Sequence, residues 1–202
     1  MRRAGERAWL LEWGGDESEA NAKARAAAAA LRASDAEGLL DAIPAARTVL
    51  VLGGPGFDAS SLPALEADPP AAPPGPAPRA HEIRFAPDGA DRDEIAARCG
   101  LSPEAFLKAF LGLTFTVGFL GFTPGFAYLY GLPLAFHLPR RPSPRPAVPA
   151  GSVALAGPYV GIYPGATPGG WNLLGTSSRR LFDLRGDTPF LFSPGDTVRF
   201  AP

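Results

Sequence analysis

Arginine is the residue whose placement in this sequence points most directly to chemistry. Between Glu104 and Asp183 there is no Asp or Glu, yet Lys108, Arg140, Arg141, Arg145, Arg179 and Arg180 all fall in that stretch. The cations are therefore segregated, although 19 Lys and Arg against 20 Asp and Glu leave the 202-residue chain at a formal charge of −1. Such segregation predicts that this segment binds a small anionic molecule. The run Pro139-Arg140-Arg141-Pro142-Ser143-Pro144-Arg145-Pro146 sharpens the expectation. Prolines fix the backbone there, and guanidinium forks match carboxylates and phosphates. The bland alternative is a solvated basic loop, or arginines paired with acids of the other domain or of a partner, where exposed pairs contribute little.

The same segment carries planar side chains. Phe122, Phe126, Tyr128, Tyr163 and Trp171, the last preceded by Gly169-Gly170, can wall a pocket and stack on a planar group. The phenylalanines suit a barrel core equally well, whereas Tyr and Trp also bring a polar end. An acid-free stretch supplies no carboxylate base, so a base would come from Asp183, another segment or another chain. Asp183, after Leu181-Phe182, reads either as a strand end orienting an arginine or as a turn acid. Ser152 lies in Ala150-Gly151-Ser152-Val153, which is not a G-x-S-x-G elbow, and no serine nucleophile is expected. His137, between Phe136 and Leu138, reads as a packed or edge histidine. No P-loop occurs. Gly54-Pro55-Gly56-Phe57-Asp58-Ala59 fits G-x-G-x-x-A, but no convincing helix is expected after it and prolines crowd the next strand position, so a dinucleotide site is not expected.

These candidates must be held by elements that the pattern partly reveals. The chain is 46% hydrophobic with 24 Gly and 24 Pro, which together imply real cores and many turns in a strand-rich α+β fold. Strands are expected over 6–13, 47–52, 81–85, 114–122, 152–156, 160–163, 171–175, 181–184 and 197–200. Helices are expected over 16–32, 91–99 and from Pro103 to about Phe110, the last capped by Ser102. Six prolines in Leu65–Pro78 forbid regular structure. They separate a small N-terminal α/β domain (1–68), by a Pro-rich linker (69–80), from a C-terminal barrel or sandwich (81–202).

Composition excludes several classes of function. The near-zero charge argues against nucleic-acid binding, which needs a cationic surplus. Cys99 is the single cysteine and, with His81 and His137 the only histidines, leaves no zinc set, so no metal site and a cytoplasmic location are expected. Ala109–Tyr128 has the length to span a bilayer. It is broken by Gly112, Gly118, Gly121, Pro124 and Gly125, so a barrel core rather than membrane insertion is expected. The start offers only Ala8 to Leu11 before Glu12, too short an apolar core for an export signal.

Dense blocks in one order carry a family resemblance. Gly121-Phe122-Thr123-Pro124-Gly125-Phe126-Ala127-Tyr128-Leu129, Pro139-Arg140, Pro144-Arg145, Val148 to Ala154, Gly161-Ile162-Tyr163-Pro164, Pro168-Gly169-Gly170-Trp171 and Leu181-Phe182-Asp183 resemble the KipI / allophanate hydrolase subunit 1 family, whose members are also known as the B subunits of 5-oxoprolinase. The resemblance covers 81–202 well and the N-terminal region more loosely. It implies a small N-terminal α/β domain followed by a cyclophilin-like β-barrel. It also implies a hetero-oligomeric hydrolase, inactive alone, that works with a KipA-like C subunit, and with an A subunit, to open 5-oxoproline to glutamate. ATP, with Mg, would be the co-substrate, and no tightly bound cofactor is implied. On that reading Tyr128, Arg140, Arg145, Ser152, Tyr163 and Trp171 are the substrate- or nucleotide-binding candidates, and no catalytic residue is assigned. Three positions depart from the family's usual pattern: Phe110 stands where His is common, Val160 where Thr is common, and Thr176-Ser177-Ser178 where Arg-Thr-Pro is common. These losses of polar groups keep two alternatives open, a KipI-type inhibitor of a sensor histidine kinase and a catalytically inactive paralogue.

Overall fold

The structure, a computed structural model, describes residues 1–71, 77–186 and 188–202. Part of the expected linker, 72–76, lies outside them. The chain divides into two compact units, Met1–Ala77 and Pro78–Pro202.

The first unit is a four-stranded antiparallel sheet with one long helix. Its strands are β1 (Arg2–Gly5), β2 (Ala8–Glu12), β3 (Leu39–Pro44) and β4 (Thr48–Gly53), in the order β1-β2-β4-β3. Helix α1 (Glu17–Ala33) starts where Asp16 accepts hydrogen bonds from the Ser18 and Glu19 amides, satisfying donors that a helix start leaves free. It buries Ala20, Ala24, Ala27, Ala28 and Leu31, a helically spaced stripe of small residues, over Leu11, Trp13, Val49 and Val51. The expected strand at 6–13 begins only at Ala8, because a tight hairpin from β1 precedes it. Two further expectations are corrected. A short helix, α2 (Leu62–Ala67), does follow the G-x-G-x-x-A run and takes in the first residues of the proline-rich stretch, since its single proline, Pro63, sits in the first turn where no amide is missed. The sheet is nevertheless antiparallel throughout, so the run lacks the parallel βαβ setting of a dinucleotide site.

The second unit is built on a curled seven-stranded sheet. Its strands are β5 (Ala80–Arg84), β6 (Phe115–Leu120), β7 (Ala127–Tyr130), β9 (Ser152–Ala156), β10 (Tyr159–Ile162), β12 (Asn172–Thr176) and β13 (Thr197–Ala201). They run in the order β12-β9-β10-β7-β6-β13-β5, with β5 and β13 parallel and the other pairs antiparallel. A two-stranded ribbon pairs β8 (Arg145–Val148) with β11 (Thr167–Gly169). Helices α3 (Arg92–Arg98) and α4 (Pro103–Leu111) are where the sequence places them, α4 capped by the Ser102 hydroxyl accepting from the Ala105 amide.

Strand alternation gives this sheet two apolar faces. In β9, Val153 and Leu155 join the main core with Ile83, Phe106, Phe110, Phe115 and Phe200. Ala154 and Ala156 turn the other way, toward Phe126, Tyr163 and Trp171. The apolar window 109–128 is thus the end of α4, β6 and the turn into β7, and no helix among the described residues is long and apolar enough to cross a membrane. The strand expected at 181–184 is a single bridge, Phe182 to Phe190. The fold class is strand-rich α+β, as expected.

Candidate functional site

The second face of the sheet opens into a small pocket of about 90 Å³. Phe122 and Phe126, from the turn between β6 and β7, wall it together with Tyr128 of β7, Tyr163 at the end of β10 and Trp171 before β12. The exposed Arg140 and the run Pro168-Gly169-Gly170 complete the lining. The rings meet edge to face: Phe126 lies 5.3 Å from both Tyr163 and Trp171, and Tyr128 lies 5.6 Å from Trp171. Two features keep the cavity shaped. A Cβ on Gly169 would come within 2.5 Å of the Tyr163 hydroxyl, so only glycine lets the wall approach that closely. Phe122 holds φ at +69°, a left-handed conformation costly for a non-glycine residue, and turns its ring over Phe126 and Tyr163 while remaining 61% exposed.

Electrostatics divide the arginine cluster. Asp91, 4% exposed, precedes α3 but does not cap it. Its Oδ1 accepts from Arg145 Nη2 at 2.7 Å and from Arg141 Nη1 at 2.9 Å, and its Oδ2 accepts from the Leu173 amide at 2.7 Å. Arg145 Nη1 also reaches the Trp171 carbonyl at 3.4 Å. Arg140, immediately before Arg141 in sequence, makes no ion pair among the described residues. Burial pushes the hydroxyl pKa of Tyr128 up, with the Arg140 charge opposing it. Burial likewise pushes that of Tyr163 up, against a hydrogen bond with the Trp171 backbone and the Arg140 charge. Both phenols are therefore protonated at neutral pH and can donate hydrogen bonds.

Of the residues singled out in the sequence, Tyr128, Arg140, Tyr163 and Trp171 come together around the pocket. Arg145 stands behind it, held by Asp91. Ser152 is buried in β9 and is not among the lining residues. Asp183 accepts from Arg180 Nη1 at 2.6 Å, and His137 Nε2 meets the Leu132 carbonyl at 2.9 Å, neither of them in the lining. Asp91 escaped the sequence reading. It looked like an ordinary helix-start acid, and its only signal was indirect: an acid-free stretch rich in arginine needs a carboxylate from elsewhere. The three positions that the sequence reading singled out as departures lie outside the pocket. Phe110 and Val160 are fully buried core residues, while Thr176, Ser177 and Ser178 border a separate open cleft with Arg84 and Phe85. Thr176 Oγ1 there donates to the Asp88 carboxylate at 2.9 Å.

The model of the carboxyltransferase domain, subdomain C and D, matches residues 1–192. The chain belongs to that family. The B subunit of 5-oxoprolinase from Escherichia coli O157:H7 is 52% identical over 114 residues, covering 56% of this chain and 52% of that protein. Its Haemophilus influenzae namesake is 44% identical over 112 residues, 55% of this chain and 53% of that protein. The match thus spans about half the length of these curated relatives. Among solved structures, TTHA0988 superposes with a TM-score of 0.83 at 44% identity, covering 96% of this chain but 39% of that one. The conserved uncharacterized protein PH0987 from Pyrococcus horikoshii superposes at 0.58 with 30% identity, covering 100% of this chain and 96% of that one. The Kluyveromyces lactis urea amidolyase shares the fold at a TM-score of 0.80 and 19% identity, over 100% of this chain and 14% of its own. Together these matches bear out the resemblance carried by the motif blocks.

Proposed function

We propose that this chain is the B subunit of an ATP-dependent 5-oxoprolinase, opening 5-oxoproline to glutamate together with the C and A subunits. The observation that carries the reading is the pocket itself: one guanidinium without an ion pair among the described residues, Arg140, beside aromatic walls and two protonated phenols. Such a site fits a small flat ring bearing a carboxylate. Arg140 holds the carboxylate by a charge-assisted fork, the aromatic faces hold the ring, and Tyr128 or Tyr163 donates to the lactam oxygen. A lactam is a poor electrophile. Phosphorylation of its oxygen by ATP, with Mg, would activate the ring carbon toward water; the adduct expels the ring nitrogen as the amine to give γ-glutamyl phosphate, whose hydrolysis releases glutamate and phosphate, and pre-placed donors favour the charge that develops. The names of the curated relatives support the same reading.

The test is phosphate release from ATP by the chain mixed with its C and A subunits, with and without 5-oxoproline. The reading predicts substrate-dependent release that Arg140→Ala lowers by about a hundredfold, the scale of losing a charge-assisted contact at a reacting ligand. Release that ignores 5-oxoproline contradicts it. Phe122 and Phe190, 61% and 44% exposed beside one shared groove, suit contact with a protein partner, here taken to be the other subunits. Capture of a sensor histidine kinase by a chain without affinity for 5-oxoproline would favour the inhibitor reading instead.

A further inference from the structure

Three arginines fall within six residues, in the loop before β8 and at its first residue, yet the geometry engages them differently. Asp91 takes the guanidinium groups of Arg145 at 2.7 Å and Arg141 at 2.9 Å, and Glu94, which also faces Arg98 at 3.6 Å, lies 3.5 Å from Arg141. The backbone around Arg140 is pinned on both sides: the Arg141 amide donates to the Gly170 carbonyl at 2.7 Å, and Asn172 Nδ2 donates to the Pro139 carbonyl at 3.1 Å. The backbone at Arg140 is therefore fixed beside the pocket, while the guanidinium groups of Arg141 and Arg145 are drawn away into ion pairs.

We propose that Asp91 sets the ligand class of the pocket: by engaging Arg141 and Arg145 in ion pairs it leaves Arg140 as the one guanidinium of the three without an ion pair among the described residues, and so makes the site selective for a monoanion, a ring carboxylate, over phosphate or pyrophosphate. The proposal rests on the reading of this pocket as the substrate site and adds what that site refuses. A cluster of three free arginines would favour a multiply charged phosphoryl group, because each further fork adds a charge-assisted contact to the same ligand. One free arginine matches one carboxylate. A phosphoryl donor that reaches the lactam oxygen is accordingly held by groups other than Arg140, and Asp91 is a positioning residue that touches no ligand.

The experiment titrates the full chain calorimetrically with 5-oxoproline, 2-furoate and inorganic pyrophosphate, for the wild type, Arg140→Gln, Asp91→Asn and Asp91→Glu, after a thermal melt shows which variants are folded. The wild type is expected to prefer 5-oxoproline over pyrophosphate by at least about tenfold, a difference of about 1.4 kcal/mol. Asp91→Asn, which removes the carboxylate that both arginines share and leaves Arg141 only the exposed Glu94, is expected to move that ratio toward pyrophosphate by about tenfold or more, Asp91→Glu to restore it, and Arg140→Gln to weaken every anion. A merely structural Asp91 would weaken all ligands together and leave the ratio unmoved, which overturns the proposal. Pyrophosphate bound by the wild type as tightly as the monoanions overturns it without recourse to any variant, as does binding of no anion at all. Selective binding of 2-furoate without 5-oxoproline would instead refute the substrate reading and leave the charge selection standing.

Discussion

Arg140, in the loop before β8, and Arg145, five residues on at the start of that strand, do unlike work, which the sequence shows only in part. That arginines cluster in an acid-free stretch is plain from the residues. Which of them is free depends on Asp91, some fifty residues away, and no spacing rule connects them. Arg145→Ala is expected to cost about 1–3 kcal/mol, because it strips a partner from a nearly buried carboxylate, whereas Arg140→Ala at an exposed position should change stability by less than about 0.5 kcal/mol. Denaturant midpoints of the two variants compare them directly. Phe110 offers a second contrast. It lies 5.2 Å from Phe200, 5.5 Å from Phe115 and 5.7 Å from Phe85 in a buried aromatic core, so Phe110→His should destabilise the chain by about 3 kcal/mol rather than build a site. A denaturant midpoint equal to that of the wild type would contradict this.

At the scale of elements, the parallel pairing of β5 with β13 depends on one carboxylate. Asp196, 3% exposed, accepts from the Arg79 and Ser193 amides at 2.9 Å each, from Arg79 Nη2 at 3.3 Å, and meets His81 Nε2 at 2.8 Å. Burial alone would raise its pKa, but the hydrogen bonds from the Arg79 amide, His81 and the Ser193 amide, with the Arg79 charge, hold it below the usual carboxylate value. A depressed folded pKa contributes stability that is present above the unfolded value of about 3.9 and is lost as pH falls through the folded one. Thermal melts should therefore show the melting temperature falling below about pH 4, and Asp196→Asn should flatten that fall while lowering stability at pH 7. A variant with the wild-type acid limb would contradict the assignment. Elements with strong patterns, such as α1, α4, β4 and β9, were legible in the sequence. The short strands β1, β3, β7, β8 and β11 were not, because three to six residues among prolines and glycines leave too little periodicity to read, and because β8 and β11 form a ribbon whose pairing is set by tertiary contacts.

Across the whole molecule, charge that nearly cancels in total is arranged so that an acid-free segment, folded onto a sheet, meets the carboxylate that pairs two of its arginines from outside. The motif blocks made the family legible because they fall where geometry is demanding: the Phe122 turn, the Gly169 approach to Tyr163 and the proline-bounded arginine loop all shape one pocket. Fold alone would not have sufficed, since the urea amidolyase shares it at 19% identity. The most direct measurement of the central claim is glutamate formation from 5-oxoproline and ATP by the chain assembled with the C and A subunits, wild type beside Arg140→Ala. The account predicts ATP-dependent glutamate from the wild type and a loss of about a hundredfold in a variant that still folds and assembles. Undiminished glutamate from Arg140→Ala, or none from a stable wild-type assembly, would contradict it.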